Sequence, residues 1–368
     1  MNLFHFFRKT YQDSFRAKPI PSLDGIRGLS CLFVILGHFS YLYAPILVDR
    51  FGEVLGKTIA YSFGNQYTGV TFFFVLSGFL ITNILIKEQE KTNDTDIKTF
   101  FLKRVFRIFP AYYFYMGCIL LWMIYNVPNS YTGQDIFAAA SYLYNYASDK
   151  NPWHMGHFWS LAIEEQFYLI WPIVFLLSFK KLGKKIPLLI ILISPLIRIA
   201  TYYYFPDLRG RMSIMTHTRI DSLMFGCLMA YFYRADLFDK FNTMIKKYKL
   251  HLIGAIHILF LARLLQMKFA GKYTMTIGYT IECFFMCCLI IYLVMNKNIV
   301  SKFFNLPIMI HIGNLSYSLY LWHVPFAWSK LGSENLMVRL VLVYVCALIS
   351  YLLIEAPFMN LRSKFLRK

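Results

Sequence analysis

Ten stretches of this chain are each apolar over about the 20 residues a helix needs to cross roughly 30 Å of hydrocarbon. That constraint narrows the possible folds more than any other feature. The stretches lie near residues 28–47, 66–86, 109–127, 157–179, 186–205, 218–233, 250–267, 274–295, 308–329 and 335–354. Composition agrees: 58% of the 368 residues are hydrophobic and only 15% charged, as expected of a membrane protein. The run at 218–233, "TRIDSLMFGCLMAYFY", is the least secure, because it is short and opens with Arg219 and Asp221. The expected fold is all-α and polytopic, with about ten transmembrane helices.

The formal net charge of +19 invites a nucleic-acid reading, but the placement of the charges argues against it. Of 38 lysines and arginines, 26 fall in the N-terminal tail and alternate connections (8–27, 87–107, 180–185, 234–249, 297–302 and 362–368), and eight fall in the opposite loops. Arg198, Arg219, Arg263 and Arg339 lie within spans or at their ends. Excess positive charge on one set of loops marks the cytoplasmic side, so both termini are expected inside and the number of spans is even. No nucleic-acid partner is expected; the partner of these charges is membrane lipid.

All seven cysteines sit inside predicted spans, where they serve as small apolar side chains, with no disulfide framework and no CxxC metal pair. No metal site is expected. The basic N-terminus before the first apolar run is not followed by a small-residue cleavage site, so the run is expected to be retained as a helix. Three parts follow: a cytoplasmic segment at 1–27, a transmembrane domain at 28–357 and a basic cytoplasmic tail at 358–368. The longest connection, 128–156, is rich in aromatics, Asn and Ser and reads as an external interfacial lid.

Function must then reside in polar residues within helices or at their ends. In "DGIRGLSCLFVILGHF", Arg27 and His38 are eleven residues apart. On a helix that spacing puts them on one face, about 16 Å apart along the axis, with His38 near mid-membrane. An ionisable group at that depth faces a protein interior or a wet cavity. Two roles suit it: a neutral histidine satisfied by a neighbouring helix, or a base that takes a proton from an attacking hydroxyl near pH 7. Arg104 and Arg107 in "RVFRIFPAYY" are three apart on one helix face. Such a pair can hold a diphosphate through paired N–H groups or rest on anionic headgroups.

In "HMGHFWSLAIEEQFYLIWP", Glu164 shares a helix face with His157, Ser160, Tyr168 and Trp171, whereas Glu165 aligns with apolar residues. A carboxylate beside aromatic rings forms a sugar-binding surface, the acid accepting hydroxyl hydrogens while rings such as Trp159 cover apolar sugar faces. An interfacial aromatic belt also accounts for Trp153 and Trp159. Arg219 and Asp221, two apart, cannot face each other along one helix, so each needs a partner elsewhere. Ser316, Tyr320 and His323 line one face of the ninth span, as an interhelical hydrogen-bond seam or as part of a site. Ser77 and Gly78 are small residues suited to close packing. The sequence contains no P-loop, zinc signature, GxSxG elbow or nucleotide fingerprint.

Seven pieces in order, "SLDGIRGLSCLFVILGH", "GVTFFFVLSGFLIT", "RVFRIFPAYY", "FWSLAIEEQFYLIWP", "RIDSLMFGCLMA", "GNLSYSLYLWHVPF" and "YLLIEAPF", span residues 22 to about 358. Together they resemble the membrane acyltransferase family 3, bacterial O-acyltransferases of surface polysaccharides, lipopolysaccharide, peptidoglycan and some small molecules. The resemblance implies a ten-span core in the bacterial inner membrane. It also implies that Arg27 and His38 are essential for transfer, and that Arg104 and Arg107 serve a cytoplasmic acyl-CoA, acetyl-CoA by family frequency. No permanently bound cofactor is implied. Some relatives append a periplasmic hydrolase-like domain; this chain, ending at Lys368, resembles the stand-alone form. The expected activity is acyl transfer to a hydroxyl of a cell-surface or lipid-linked carbohydrate. Glu164 would orient that acceptor, with Trp159, Arg219, Asp221 and His323 as further contacts. The competing class is a transporter or exporter of an acylated or glycan intermediate.

Overall fold

The computed structural model describes residues 3–16, 20–127, 130–146, 153–179, 181–328 and 335–365. Residues 128–129 and 147–152 of the long connection, and the chain ends at 1–2 and 366–368, lie outside the described residues. The fold among them is helical, with no strand. In chain order the helices are α1 (Leu3–Asp13), α2 (Pro21–His38), α3 (Ser40–Phe51), α4 (Glu53–Phe63), α5 (Gln66–Thr92), α6 (Ile97–Asn126), α7 (Gly133–Ala140), α8 (Phe158–Ser178) and α9 (Lys185–Tyr204). They continue with α10 (Thr216–Arg234), α11 (Phe238–Lys247), α12 (Leu250–Ile256), α13 (Ala262–Lys268), α14 (Tyr279–Met295), α15 (Ile299–Phe304), α16 (Pro307–Trp328), α17 (Leu336–Ser350) and α18 (Ala356–Phe365).

Every apolar run of the sequence is helical, but not every one is apolar enough to cross a bilayer on composition alone. Seven stretches pass that test among the described residues: Glu53–Thr92, Ile97–Asn126, Trp153–Ser178, Lys185–Tyr204, Leu250–Lys268, Thr274–Met295 and Leu336–Phe365. An eighth is the pair Ser22–His38 and Ser40–Phe51, bent by 78° at Phe39. The expected spans at 218–233 and 308–329 correspond to α10 and α16, which fall short. The reason is chemical: α10 opens with Arg219 and Asp221, and α16 carries His311, Asn314, Tyr320 and His323. Polar residues lower mean hydropathy where they serve neighbours inside the protein rather than lipid. The chain is a multi-pass membrane protein.

The bend is the main departure from the expected uninterrupted span at 28–47. His38 ends α2, Phe39 leaves the helical region at φ −93° and ψ 3°, and Ser40 begins α3. The carbonyl of Leu36 accepts the Tyr43 hydroxyl at 3.1 Å, which satisfies a backbone group that hydrocarbon could not. Irregular backbone at membrane depth is tolerated only where protein or water covers it.

The chain divides into two compact units, Met1–Cys31 with Asp96–Ala162 and Asn305–Lys368, and Leu32–Thr95 with Ile163–Phe304. In the first, α2 crosses α16 backbone to backbone at Gly28 and Gly313. A Cβ on Gly28 would stand 2.6 Å from the Met309 carbonyl oxygen, and one on Gly313 would strike the Asp24 carbonyl. In the second, α5 and α10 meet in the same way. A Cβ on Gly78 would strike the Leu223 carbonyl, and one on Gly226 the Val75 carbonyl. Small residues let helices approach this closely where lipid offers no hydrophobic drive for association. Among the described residues three π-helical turns, His257–Leu261, Thr274–Gly278 and Tyr351–Glu355, interrupt the α-helical ladder.

Candidate functional site

The first unit gathers Arg27, Arg107, Glu355 and Ser318 from four elements. Arg27 is half-buried on α2, one residue before the Gly28 crossing. Arg107 is half-buried on α6, three residues before Pro110. The Tyr317 hydroxyl pins α16 to α6 there, donating to the Ile108 carbonyl at 3.0 Å. Glu355, 4% exposed, ends the π-helical turn before α18, accepts a hydrogen bond from Ser318 on α16 and lies in the field of both Arg107 and Arg27. One buried carboxylate thus faces two guanidiniums. Arg104, one turn before Arg107, places its guanidinium 5.5 Å from the Phe100 ring centroid. Guanidiniums such as these can meet phosphate oxygens through paired N–H groups.

The same unit holds a second polar group. Ser160 and Tyr320 share a hydrogen bond. His323 Nδ1 lies 2.6 Å from the Tyr320 carbonyl oxygen, and its ring centroid is 5.6 Å from that of His157. His157 and His323 are both buried. Of the face Ser316, Tyr320 and His323, Tyr320 bonds across to Ser160 of α8 and His323 bonds within its own helix, while the Ser316 backbone carbonyl accepts from Cys31 Sγ at 3.7 Å. Trp159 is half-buried on the first turn of α8.

The second unit contains His38, Glu164, Arg219 and Asp221. His38 Nδ1 lies 3.0 Å from the Val34 carbonyl oxygen, one turn back. A carbonyl only accepts, so a neutral ring bonded this way carries its hydrogen on Nδ1 and its lone pair on Nε2. That tautomer is the one able to accept a proton at Nε2. Gly37, just before, packs against the start of α5; a Cβ there would stand 2.6 Å from Gln66 N.

Glu164 on α8 is held by two hydroxyls. Ser77 Oγ donates to Oε1 at 2.8 Å, and Tyr168 Oη to Oε2 at 3.2 Å. Tyr168 also donates to Ser77 Oγ at 3.1 Å. Ser77, expected to serve packing, is thus a polar partner of the candidate acceptor-orienting acid. One turn deeper, Trp171 Nε1 donates to Thr82 Oγ1 at 2.8 Å.

Arg219 and Asp221 do have separate partners. Asp221 Oδ2 pairs with Arg198 Nη2 at 2.9 Å and accepts from Thr280 Oγ1 at 2.7 Å. Arg198 is fully engaged, its Nε donating to the Thr276 carbonyl and its Nη1 to the Thr218 carbonyl, each at 2.8 Å. Thr276 belongs to a π-helical turn, and such turns free carbonyls for outside donors. Arg219 Nη2 donates to Thr71 Oγ1 at 2.6 Å, and its guanidinium carbon lies 3.6 Å from the Tyr279 ring centroid.

Glu355, Ser318, Arg198 and Glu282 were not picked out as site candidates by sequence reasoning. A signal existed for the two acids: "YLLIEAPF" and "YTIECFFMCC" each set one carboxylate in an apolar run, a placement stable only with a partner. The hydroxyl and guanidinium partners are far away in sequence and carry no local mark.

These features define a polytopic membrane protein organised around buried arginine–carboxylate clusters and a histidine at a helix break. The profile of the family described as "Acyltransferase domain" matches residues 20–359, so the chain belongs to the membrane acyltransferase family 3 that its motifs resemble. It is 28% identical over 369 residues to the peptidoglycan O-acetyltransferase OatA of Listeria monocytogenes, covering 92% of this chain and 56% of that one. It is also 28% identical over 376 residues to the O-acetyltransferase OatA of Staphylococcus aureus, covering 95% and 58%. The chain thus spans a little over half the length of the curated relatives it matches. No solved structure matches it significantly.

Proposed function

We propose that this protein is a membrane O-acetyltransferase that moves an acetyl group from cytoplasmic acetyl-CoA to a hydroxyl of a cell-wall or cell-surface carbohydrate. The observation that carries this reading is His38 at the end of α2, its Nδ1 bonded to the Val34 carbonyl so that a neutral ring holds its lone pair on Nε2. In the reaction, Nε2 takes the proton of the acceptor hydroxyl as the oxygen attacks the thioester carbonyl. The tetrahedral intermediate collapses, its C–S bond breaks and the departing thiolate recovers the proton from His38 as CoA–SH. Alternatively Nε2 attacks the thioester itself, the C–S bond breaks and CoA leaves as thiolate, and the acceptor hydroxyl then attacks the acyl-imidazole, freeing Nε2 and giving up its proton so that CoA departs as CoA–SH.

On the donor side, Arg104 and Arg107 would hold the CoA phosphates, and Arg27 would start a path along α2 towards His38, about 16 Å away on the helix axis. Glu355 would keep Arg27 and Arg107 apart and oriented. On the acceptor side, Glu164, held by Ser77 and Tyr168, would accept sugar hydroxyl hydrogens, with Arg219 and Asp221 as further contacts. Positioning of this kind contributes through orientation rather than through bond chemistry. A carrier of the inverted-repeat type breaks its helices in matched pairs. Among the described residues one bent pair occurs, which favours the enzyme.

The test is the His38→Ala protein in a strain lacking the wild-type gene. Expected are normal membrane levels and loss of base-labile acetyl ester from envelope glycan. Unchanged ester at equal protein level would overturn the assignment. Arg104→Ala combined with Arg107→Ala tests the donor side, with weakened acetyl-CoA binding expected in purified protein and unchanged binding refuting it.

A further inference from the structure

A second buried charge cluster in the unit of residues 32–95 and 163–304 is short of one negative charge. From α9, α10, α13 and α14, beside the start of α5, it brings together three arginines and two acids. Arg198 pairs with Asp221 at 2.9 Å. Arg263 Nη2 stands 3.5 Å from Glu282 Oε1 and donates to Thr68 Oγ1 at 2.7 Å, while its Nη1 donates to Gln266 Oε1 at 2.6 Å. Arg219 remains. It has no exposed surface, and its contacts are Thr71 and the faces of Tyr279 and Phe74, with Glu282 feeling its charge at longer range. Even with both acids ionised, three guanidiniums meet two carboxylates.

Hydrogen bonding is incomplete in the same place. Arg219 Nε and Nη1, Arg263 Nε, Asp221 Oδ1 and Glu282 Oε2 are buried and have no partner among the described residues. Buried charged donors left unmade are among the most unfavourable features a fold can retain. Arg198 shows what a purely structural arginine looks like here, with every branch of its guanidinium engaged. Arg219 instead leaves Nε and Nη1 without partners on two different edges of its guanidinium, each a charged donor able to meet a carboxylate or phosphate oxygen. The stacked Tyr279 holds that plane still. The orphan oxygen of Asp221 suits a hydroxyl donor, not a second anion.

We propose that Arg219 anchors a binding subsite for an oxyanion carried on a sugar, so that the acceptor is an anionic saccharide bearing a carboxylate or phosphate near its hydroxyls. This rests on the acceptor-side reading given above and narrows it. The bound anion brings the cluster to charge balance and takes up a free Arg219 N–H, while Asp221 Oδ1 accepts from a neighbouring sugar hydroxyl. Because these atoms have no accessible surface, the ligand enters by local parting of the helix ends. The π-helical turns His257–Leu261 and Thr274–Gly278 adjoin the cluster and supply its least regular backbone.

The experiment is a binding measurement that requires no acyl transfer. The detergent-purified full chain is titrated with D-glucuronate, D-glucose and acetate at constant ionic strength, and its thermal unfolding midpoint is followed. Glucuronate is expected to raise the midpoint, glucose to leave it unchanged and acetate to act only at much higher concentration. Arg219→Gln is expected to weaken glucuronate by about tenfold or more, the effect of losing a charge-assisted pair. Glu282→Gln, which adds to the excess positive charge, is expected to tighten it. Should Arg219→Gln fail to fold, the wild-type titrations and Glu282→Gln decide. Equal potency of acetate and glucuronate would overturn the sugar-borne source, and no saturable glucuronate effect, or no change in Glu282→Gln, would overturn the subsite. If His38→Ala leaves envelope esters intact while glucuronate still binds through Arg219, the transfer reading fails and the subsite stands; the converse result separates them equally well.

Discussion

The Ser77 hydroxyl donates to Glu164 Oε1 across 2.8 Å, joining α5 to α8 at the acid expected to orient the acceptor. Tyr168 grips the other oxygen at 3.2 Å, so the carboxylate has one orientation and not several. Removing one hydrogen bond to a charged group loses about 1.5–3 kcal/mol, roughly one to two powers of ten in efficiency. Ser77→Ala should therefore lower kcat/KM for the carbohydrate acceptor by about tenfold while leaving acetyl-CoA affinity unchanged. Glu164→Gln should cost more, because the amide presents an N–H where sugar hydroxyls need an acceptor. Steady-state kinetics with each substrate varied in turn makes the check, and a Ser77→Ala defect confined to acetyl-CoA would contradict the role.

Glu355 poses the parallel question in the other unit. Its carboxylate, bonded to Ser318, is the counter-charge in the field of Arg27 and Arg107. Glu355→Gln keeps the volume and removes the charge, so the two guanidiniums repel without a mediator. The expected outcome is a rise of about tenfold in the Kd for acetyl-CoA through lost preorganisation, with Ser318→Ala in the same direction and smaller. Isothermal titration with CoA measures both. If Glu355→Gln tightens CoA instead, the carboxylate was competing with the phosphates and the positioning role is wrong.

Much of this arrangement was legible in the residues, for reasons that differ by element. The apolar runs were legible because bilayer thickness imposes a length that few other folds require. That Arg219 and Asp221 would find separate partners followed from two-residue spacing, and Thr71 with Tyr279 on one side and Arg198 with Thr280 on the other meet that expectation. The break after His38 was not legible. No proline marks it, and the neighbour it packs against, the start of α5 beside Gly37, is nearly 30 residues on. Ser77 and Ser318 were opaque for a related reason. A serine in an apolar helix looks the same whether it bonds its own i−4 carbonyl, as Ser30 does with Ile26, or a carboxylate on another helix.

Acidification should act first on the start of α6. Asp96 caps that helix, its side chain accepting the Thr99 N–H at 2.9 Å. Hydrogen bonds from Thr99 hold its carboxyl below the ordinary aspartate range. A carboxylate whose pKa is lowered by folding stabilises the folded form above its unfolded value and ceases to as pH falls through the folded one. The first turn of α6, just ahead of Arg104 and Arg107, should therefore loosen below about pH 4. Hydrogen exchange of residues 97–100 against pH should show protection declining there in the wild type and already low in Asp96→Ala. A flat profile in the wild type would mean the cap does not hold the turn.

The crossing of α5 and α10 makes the sharpest steric prediction. A Cβ at Gly226 would strike the Val75 carbonyl and stand 2.6 Å from Phe79 N, and both obstacles are backbone. Side chains can turn aside, but two helices joined backbone to backbone can only separate, which also disturbs Thr71 below Arg219 and Ser77 beside Glu164. Overpacking of this kind typically destabilises by about 1–3 kcal/mol, and a crossing without a flexible partner should fall at the upper end. Gly117 on α6 is the matched control, since a Cβ there meets nothing within 4 Å and Ala is the better helix former. Gly226→Ala should lower the thermal midpoint and yield of detergent-purified protein, whereas Gly117→Ala should leave both unchanged or raise them. Equal behaviour of the two variants would show that the α5–α10 approach is looser than the backbone distances indicate, and with it the fixed placement of Ser77 and Thr71.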